Sequence, residues 1–387
     1  MRPFEQILQR CEELALIFAQ RADRHDRAGS FPFENVADLR AAGLARLTVP
    51  GEYGGDGASL LQMIQVLQCL AHGDASTALG LAMHVHIVAQ LADSWSWPPD
   101  VFASLCRDIV STGAFVNTAA SEPEMGSPSR GGLPATTAHQ STSGYCINGR
   151  KNWITFAPAL KYFLTTATLT DGIDQDAVGV FAVPADSPGV RLNDTWGDGL
   201  SLRASGSCEV EFADVMVPKQ CLVELRHSGE ALRGPAQPPA WSGCAFAAVY
   251  LGLGQAALQA FAVYARQRIP SALGKPIAEL PQIKRACGQM HVSLQAAQAV
   301  LYAAAEKWQA QPEQRARMHS DFAAAKYLCT NAAVTVTELA VRSAGANGLD
   351  RRLPLERMFR DARAGLMHPP QDDLALELMG KQALEAL

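Results

Sequence analysis

TTAHQSTSGYCINGRKNWITF, residues 136–156, is the stretch that decides the fold class of this chain. It is rich in β-branched and aromatic residues and is interrupted by serine, glycine and asparagine, a composition typical of short β-strands. Asn148 and Gly149 lie between two apolar runs, and an Asn-Gly pair in that setting predicts a hairpin turn. Segments of the same composition extend in both directions, so we predict a β domain over residues 113–224.

Helical patterns flank the β domain on both sides. Before it, apolar residues recur at helical spacing from residue 4 to residue 110, and Asp74 begins a good N-cap sequence. After it, long alanine-rich helical runs continue to the C-terminus. This order gives an α+β class and excludes an alternating βαβ sheet. We therefore predict helical domains over 1–112 and 225–387.

The composition limits the classes of partner. The formal net charge of −5 and the pI near 6.0 provide no basic surface for nucleic acid or for an anionic membrane. The nine cysteines are dispersed and form no CxxC pair, which indicates reduced thiols, a cytoplasmic location and no structural zinc site. Neither a Rossmann fingerprint nor a P-loop is present in the sequence.

Two long uncharged stretches, 75–92 and 234–265, have the length of a membrane span. Both contain polar residues among small ones, which favours buried helices of a helical bundle over membrane helices. The first residues mix Glu, Gln and Arg into an apolar run, which is not typical of a signal peptide. No membrane association is therefore expected.

Seven motifs follow one another along nearly the whole chain. They are LTVPGEYGGDG (47–57), NTAASEPEMGS (117–127), INGRKNWIT (147–155), VEFADVMVP (210–218), GKPIAELPQIK (274–284), GANG (345–348) and LPLERMFRDAR (353–363). In this order they resemble the acyl-CoA dehydrogenase superfamily. The resemblance implies an N-terminal helical domain, a central β-barrel-like domain and a C-terminal four-helix bundle, with FAD as cofactor.

The resemblance also implies a reaction and partners. Its leading form is FAD-dependent dehydrogenation of an acyl-CoA, or of an acyl group on a carrier protein. A base removes the α proton of the thioester, and the β hydrogen passes as hydride to the flavin. The implied partners are a small-molecule thioester, an electron-transfer protein or reductase, and three further copies of the chain in a homotetramer.

Candidate contacts to the flavin ring lie in the β domain. Trp153 and Thr155 are two residues apart on a predicted strand and should share a face. An indole can cover an aromatic ring and a hydroxyl can bond a heterocyclic nitrogen, although the same pair could simply fill a β core. By resemblance, Ser121 contacts the polar edge of the flavin, and Ser127 lies nearer the thioester arm of the substrate.

Candidate contacts to the flavin phosphates lie in the C-terminal domain. By resemblance, the stretch that holds Gly345, Asn347 and Gly348 approaches the pyrophosphate of a neighbouring subunit, where glycine permits close contact. Arg342 occupies a position where the family has Gln, and an arginine can serve a phosphate bidentately. Either Arg266 or Arg268 corresponds to a further phosphate-binding arginine, and Arg268 is the residue that we assign.

The usual catalytic glutamate is missing from FRDARAGLMHPPQDD, residues 359–373. Aligned on the Arg-Asp-Ala motif, Pro369 falls on the position of that glutamate. Ser242 occupies the alternative position that some family members use. Neither residue can act as the base.

Three catalytic interpretations therefore remain open, besides a non-catalytic flavin-binding member of the family. Asp372 or Asp373 could serve as a displaced base. His368 could be the base, since an ordinary imidazole titrates near neutral pH. The third interpretation needs no α-proton base and resembles the flavin monooxygenase branch of the superfamily.

His84 and His86 lie on a predicted helix whose family counterpart lines the substrate cavity. Residues two apart on a helix point in very different directions, so at most one of these rings can face a pocket.

Overall fold

Five α-helices form the N-terminal part of the protein in this computed structural model, which describes residues 2–94, 96–124, 132–227 and 238–385. They are α1 (Phe4–Ala28), α2 (Phe33–Ala41), α3 (Leu60–Gly73), α4 (Ala75–Ser94) and α5 (Pro99–Thr112). The predicted N-cap at Asp74 is confirmed, because its carboxylate accepts hydrogen bonds from the amides of Ser76 and Thr77 at 3.3 and 3.0 Å. This cap fixes the start of α4.

The central part is a single mixed sheet. Its strands are β1 (Phe115–Ala119), β2 (Thr137–Gln140), β3 (Gly144–Ile154), β4 (Leu160–Leu169), β5 (Val178–Pro184), β6 (Val190–Asn193), β7 (Cys208–Pro218) and β8 (Leu222–Arg226). The order across the sheet is β6-β7-β3-β2-β4-β5-β8, and β1 pairs with β4 in parallel. The side chains of Phe163, Phe181 and Phe212 fill the interior of this sheet region and are buried.

The predicted hairpin turn at Asn148-Gly149 is wrong. β3 runs through both residues, and the turn between β2 and β3 lies at residues 141–144 instead. The side chain of Asn148 exchanges two hydrogen bonds with Asp214 of β7, at 2.9 and 3.1 Å, where the β3–β7 register shifts. Gly149 has φ +151°, and a Cβ there would lie 2.5 Å from Thr136 Oγ1. The Asn-Gly pair therefore forms a β-bulge.

The C-terminal part returns to helices. They are α6 (Ala240–Gln267), α7 (Pro281–Ala310), α8 (His319–Ala344), α9 (Leu355–Asp361) and α10 (Asp372–Glu385). Three long helices and the shorter α10 provide the expected helical bundle, so the α+β class and the order of the three parts are confirmed. A Cβ on Gly252 would lie 2.3 Å from the carbonyl oxygen of Gln68, so glycine permits α6 to pack closely on α3.

The two long apolar helices, α4 and α6, lie largely inside the fold. In their most apolar windows 78% and 67% of the residues are buried. The structure therefore places these helices in the protein core, as their polar residues predicted. Strands begin at Phe115 and end at Arg226. The domain divisions at 112/113 and 224/225 stay predictions.

Candidate functional site

Two hydrogen bonds connect β1 and the residues after it with the C-terminal end of β3. The amide of Asn117 donates to the carbonyl oxygen of Thr155 at 2.9 Å, and the backbone N–H of Asn152 donates to the carbonyl oxygen of Ser121 at 3.0 Å. The structure thus brings Ser121, Asn152 and Thr155 to one edge of the sheet. Ser127, which was also predicted to contribute here, lies outside the described residues.

The prediction that Trp153 and Thr155 continue a regular strand is wrong. β3 ends at Ile154, and Trp153 has a left-handed backbone with φ 59°. The indole is 53% exposed, so it does not fill the β core. Thr155 is buried, and its hydroxyl lies 2.9 Å from the hydroxyl of Ser207. Simple alternation cannot define the faces of these two side chains, because the left-handed residue interrupts it.

A row of hydroxyls behind Thr155 was not expected from the sequence. Ser205 and Ser207 are buried, and their hydroxyl oxygens are 2.7 Å apart. The segment RASGSC offers a weak signal for this row, because small polar residues are as common in ordinary turns. Together the three hydroxyls give this edge of the sheet several groups that can donate or accept.

His368 lies at the turn where the catalytic glutamate is missing. Its imidazole stacks on Phe246 with ring centroids 4.4 Å apart and planes 8° from parallel, and its Nε2 lies 3.0 Å from the hydroxyl oxygen of Tyr250. Burial, followed by the positive charge of Lys326 and the nearby His86, lowers the pKa of His368 to about 3. The imidazole is therefore neutral across the physiological pH range.

The two histidines of α4 have different environments. His84 Nε2 donates to the carbonyl oxygen of Ala45 at 2.7 Å, and its Nδ1 accepts from the amide of Val116 at 3.1 Å, so this ring is a satisfied structural group. The buried Nδ1 of His86 has no hydrogen-bond partner in the part of the chain that the structure describes. The ring of His86 lies 5.9 Å from that of Phe246. Only His86 of this pair joins the histidine cluster, which we define as His86, Phe246, Tyr250 and His368.

The carboxylates near this turn are directed elsewhere. Asp372 Oδ1 lies 3.6 Å from Nζ of Lys326, and its Oδ2 accepts from the amide of Asn331 at 2.9 Å. Asp373 is exposed in the first turn of α10. Asp361 is buried, and its Oδ1 accepts the N–H of Leu202 at 2.7 Å. At this turn the structure therefore places the imidazole of His368, which forms no hydrogen bond with a carboxylate of the described residues.

The residues predicted to bind phosphate lie on or beyond the ends of two helices. Arg342 is exposed and pairs with Glu338 within α8. A Cβ on Gly345 would meet no atom within 4 Å, whereas one on Gly348 would lie 2.5 Å from the carbonyl oxygen of Val341. Gly348 therefore has a packing reason to be glycine. Arg268 terminates α6, and the roles of Arg342, Arg268, Gly345 and Asn347 towards a neighbouring subunit stay predictions.

Comparison with known proteins places these features in one family. Models of the N-terminal, middle and C-terminal domains of acyl-CoA dehydrogenase match residues 6–95, 117–215 and 244–371. The chain is also 37% identical to YdbM of Bacillus subtilis (strain 168), over 98% of this chain and 97% of that protein. The chain belongs to the acyl-CoA dehydrogenase family. The resemblance drawn from the seven motifs is thereby confirmed.

Solved structures of this acyl-CoA dehydrogenase fold include enzymes of two kinds. The complex of TdsC from Paenibacillus sp. A11-2, a dibenzothiophene monooxygenase, with FMN and indole superimposes with a TM-score of 0.86 at 25% identity, covering 99% of this chain and 98% of TdsC. Butyryl-CoA dehydrogenase from Megasphaera elsdenii gives 0.81 at 24% identity, covering 98% of each chain, and so supports the fold alone. YdbM is provisionally named as an acyl-CoA dehydrogenase.

The flavin expected from the sequence is confirmed as the cofactor of this family, whose members bind FAD or FMN. The β-sheet edge of this family member suits such a group. An exposed indole stands beside buried hydroxyls, and the buried Oδ1 of Asn152 has no hydrogen-bond partner among the described residues. A planar heterocycle with a polar edge would cover the indole and satisfy such groups. Trp153, Thr155 and Ser121 are the residues that would hold it.

Replacement of the two ring contacts tests this assignment. We expect Thr155→Ala to shift the absorbance spectrum or the reduction potential of the bound flavin, since it removes a hydrogen bond of about 1 kcal/mol. Trp153→Ala is expected to weaken flavin retention, which equilibrium titration measures. Thr112→Ala, at the exposed end of α5, is the control. Unchanged spectra, potentials and flavin affinity in both folded variants would show that these residues do not contact the flavin.

Proposed function

We propose that this protein is a flavin-dependent monooxygenase that uses reduced flavin and molecular oxygen to oxidise a small aromatic or heteroatom-containing compound. One observation carries the proposal. The turn that would present a carboxylate base instead presents a neutral imidazole, stacked on Phe246 and bonded to Tyr250. The similarity to TdsC, whose name and complex describe an FMN-binding monooxygenase, supports the same conclusion.

The low basicity of His368 disfavours abstraction of a proton from a thioester by this residue. A general base is most effective when its pKa is near the working pH, and the pKa of His368 is lowered to about 3. A neutral imidazole can nevertheless donate an N–H hydrogen bond to a bound ligand. These properties suit oxygen chemistry better than removal of an α proton.

Tyr250 and His368 form a neutral pair that can orient a ligand. Burial raises the pKa of the Tyr250 hydroxyl well above its ordinary value, so the hydroxyl keeps its proton. Either the hydroxyl donates to Nε2 or Nε2–H donates to the hydroxyl oxygen. In both cases the tyrosine fixes the imidazole, whose Nδ1 has no hydrogen-bond partner among the described residues. When the hydroxyl donates to Nε2, the proton of the neutral ring is on Nδ1, and this Nδ1–H is the group that we assign to hydrogen bonding with the ligand.

The rest of the cluster determines what can bind. Phe246 is buried and offers an aromatic face beside His86. Aromatic side chains favour planar, apolar ligands that can stack or pack edge to face. A bound reduced flavin supplies the electrons that activate oxygen. The role of the aromatic residues is to position the substrate and to exclude water.

The second candidate is dehydrogenation of an acyl thioester with His368 as the base. The 37% identity to YdbM over nearly the full length of both chains favours it. In that reaction His368 would take the α proton, because Asp372 is engaged by Lys326 and Asn331. An electron-transfer protein would then be the partner, in place of a flavin reductase.

Two assays on the purified protein distinguish the candidates. With a flavin reductase, NADH and ¹⁸O₂, a panel of indoles, sulfides and amines is expected to yield a product that contains one labelled oxygen atom, as measured by mass spectrometry. Under anaerobic conditions, a panel of acyl-CoA thioesters is expected to leave the oxidised flavin spectrum unchanged. Bleaching by a thioester without any labelled product would refute the monooxygenase proposal and support the dehydrogenase.

A homotetramer and a cytoplasmic location complete the proposal. The cofactor contacts assigned to Gly345 and Asn347 require a second subunit in the family arrangement, and the C-terminal helices provide surface for packing. The nine cysteines are all free thiols, which is compatible with a reducing compartment.

A further inference from the structure

Lys326 is a charged side chain buried inside the helical bundle. It lies on α8 with 0% of its side chain exposed, and its Nζ has no hydrogen-bond acceptor among the described residues. Its one ion pair joins Nζ to Oδ1 of Asp372 at 3.6 Å. Burying an ammonium group costs free energy unless a nearby opposite charge compensates it. The ammonium of Lys326 therefore holds the carboxylate of Asp372 beside it by electrostatic attraction.

Asp372 is coupled to His368 through a short, stiff segment. Pro369, Pro370 and Gln371 connect the two residues, and proline fixes the backbone φ angle. Asn331 of α8 holds the second carboxylate oxygen of Asp372 at 2.9 Å. Fixing Asp372 on α8 therefore limits where the imidazole can lie.

Besides the chain connection to Asp372, charged groups around His368 act on its imidazole directly. The titratable or charged groups that face it are His86 of α4, Tyr250 of α6, Lys326 of α8 and, behind Lys326, Asp372 of α10. Lys326 and His86 both oppose protonation of the imidazole. Asp361 of α9 acts on Tyr250 and raises the pKa of its hydroxyl, after the larger effect of burial.

We propose that Lys326 is a positioning residue for the reaction, which acts on His368 through its ion pair with Asp372 and through its own buried charge. The proposal rests on the role given to His368 in the proposed function, but its main test does not depend on which reaction is catalysed. Lys326 acts on the imidazole in two ways, directly through its positive charge and indirectly by holding Asp372.

The test follows the His368 imidazole directly in the full-length flavoprotein. Histidine labelled with ¹³C at Cε1 is observed by NMR as a function of pH, and the His368 signal is assigned from its loss in His368→Gln. In the wild type we expect this signal to stay at its neutral position throughout the pH range in which the protein is folded. In Lys326→Met it should move and titrate at higher pH, because a neighbouring positive charge is removed.

Replacement of Asp372, the ion-pair partner of Lys326, is not expected to raise the pH at which His368 titrates. Asp372→Asn leaves the charge of Lys326 uncompensated. The chemical shift of the His368 signal should therefore change, but the signal should not titrate at higher pH. Each single variant is expected to lose on the order of 10²-fold in turnover rate, the typical effect of a misplacement of about 1 Å. The double variant Lys326→Met/Asp372→Asn should lose less than the product of the two single effects, since the two residues act together.

Lys307→Met is the matched control, because it removes another lysine–aspartate pair of the bundle, to Asp321 at 3.1 Å. It should leave the His368 signal and the rate unchanged. The proposal is wrong if folded Lys326→Met and Asp372→Asn keep the wild-type His368 signal, whatever the reaction is. If Lys326→Met does not fold, Asp372→Asn decides the matter alone. A shifted signal with no oxygenase activity even in the wild type would refute the proposed function and leave the positioning role intact.

Discussion

His368→Ala is expected to lower the turnover rate by about 10²–10⁴-fold while the flavin stays bound, a range that covers the loss of a positioned hydrogen-bond donor and the loss of a general base. The imidazole contacts Phe246 and Tyr250, and neither of these is assigned to the flavin. The measurement is the rate of labelled product formation in the oxygenase assay, or of flavin bleaching if a thioester proves to be the substrate. His368→Gln keeps a hydrogen bond to Tyr250 and should lose similarly.

The pH dependence of this effect has a defined sign. The folded-state pKa of His368 is about 3, below the ordinary value of about 6.5, so the imidazole gains no proton between pH 8 and pH 5. The ratio of wild-type to His368→Ala rates should therefore be constant over that range. A ratio that falls steeply as the pH drops through 6.5 would show that His368 titrates normally.

Two further variants serve as controls. Asp373→Asn, at an exposed position of α10, and His291→Ala, at an exposed position of α7, should retain rates close to the wild type. A large loss in Asp373→Asn, with a normal rate in His368→Ala, would restore the displaced aspartate as the catalytic group.

Glu122→Gln is expected to lower the free energy of unfolding by about 3–5 kcal/mol, the usual cost of breaking a buried ion pair from one side. Glu122 and Lys151 are 1% and 0% exposed, and their Oε1 and Nζ atoms are 2.5 Å apart. The carboxylate of Glu122 also accepts the amides of Ala135 and Thr136 at 2.6 and 3.0 Å. Urea unfolding followed by circular dichroism measures the change.

A double variant tests whether the loss of stability comes from the uncompensated buried charge or from the changed size and shape of the side chain. Lys151→Met combined with Glu122→Gln removes both charges and should recover part of the stability, because no uncompensated charge remains buried. Arg150→Met removes a neighbouring exposed pair, to Glu124 at 3.5 Å, and should cost at most about 1 kcal/mol. Equal losses in Glu122→Gln and Arg150→Met would contradict the explanation. Because Ser121 precedes Glu122, weaker flavin binding is also expected in Glu122→Gln.

The sequence alone determined the order of the parts and the absence of the usual base. Helical and strand periodicities are local properties, and they predicted helices before and after a β region correctly. The N-cap at Asp74 followed from residues within one helical turn. Pro369 in place of glutamate was visible because side-chain chemistry can be read without coordinates.

Other features depended on contacts between distant segments, and only the tertiary structure decided them. Asn148-Gly149 forms a bulge because Asp214, far along the chain, pairs with the asparagine. His84 is structural because Ala45 and Val116 satisfy both of its nitrogens, whereas His86 faces the cluster. Hydrogen bonds and packing of this kind join residues that are far apart in the sequence, and no local sequence pattern predicts such contacts.

The same reason explains the catalytic alternatives. From the sequence, Asp372, Asp373 and His368 were all candidates, since each has suitable chemistry within one short loop. The fold directs Asp372 to a buried lysine on α8 and stacks His368 on Phe246 of α6. Residue types determined which groups were available, and the packing of α6, α8 and α10 determined which of them faces the cluster, because the position of a side chain depends on the helices around it.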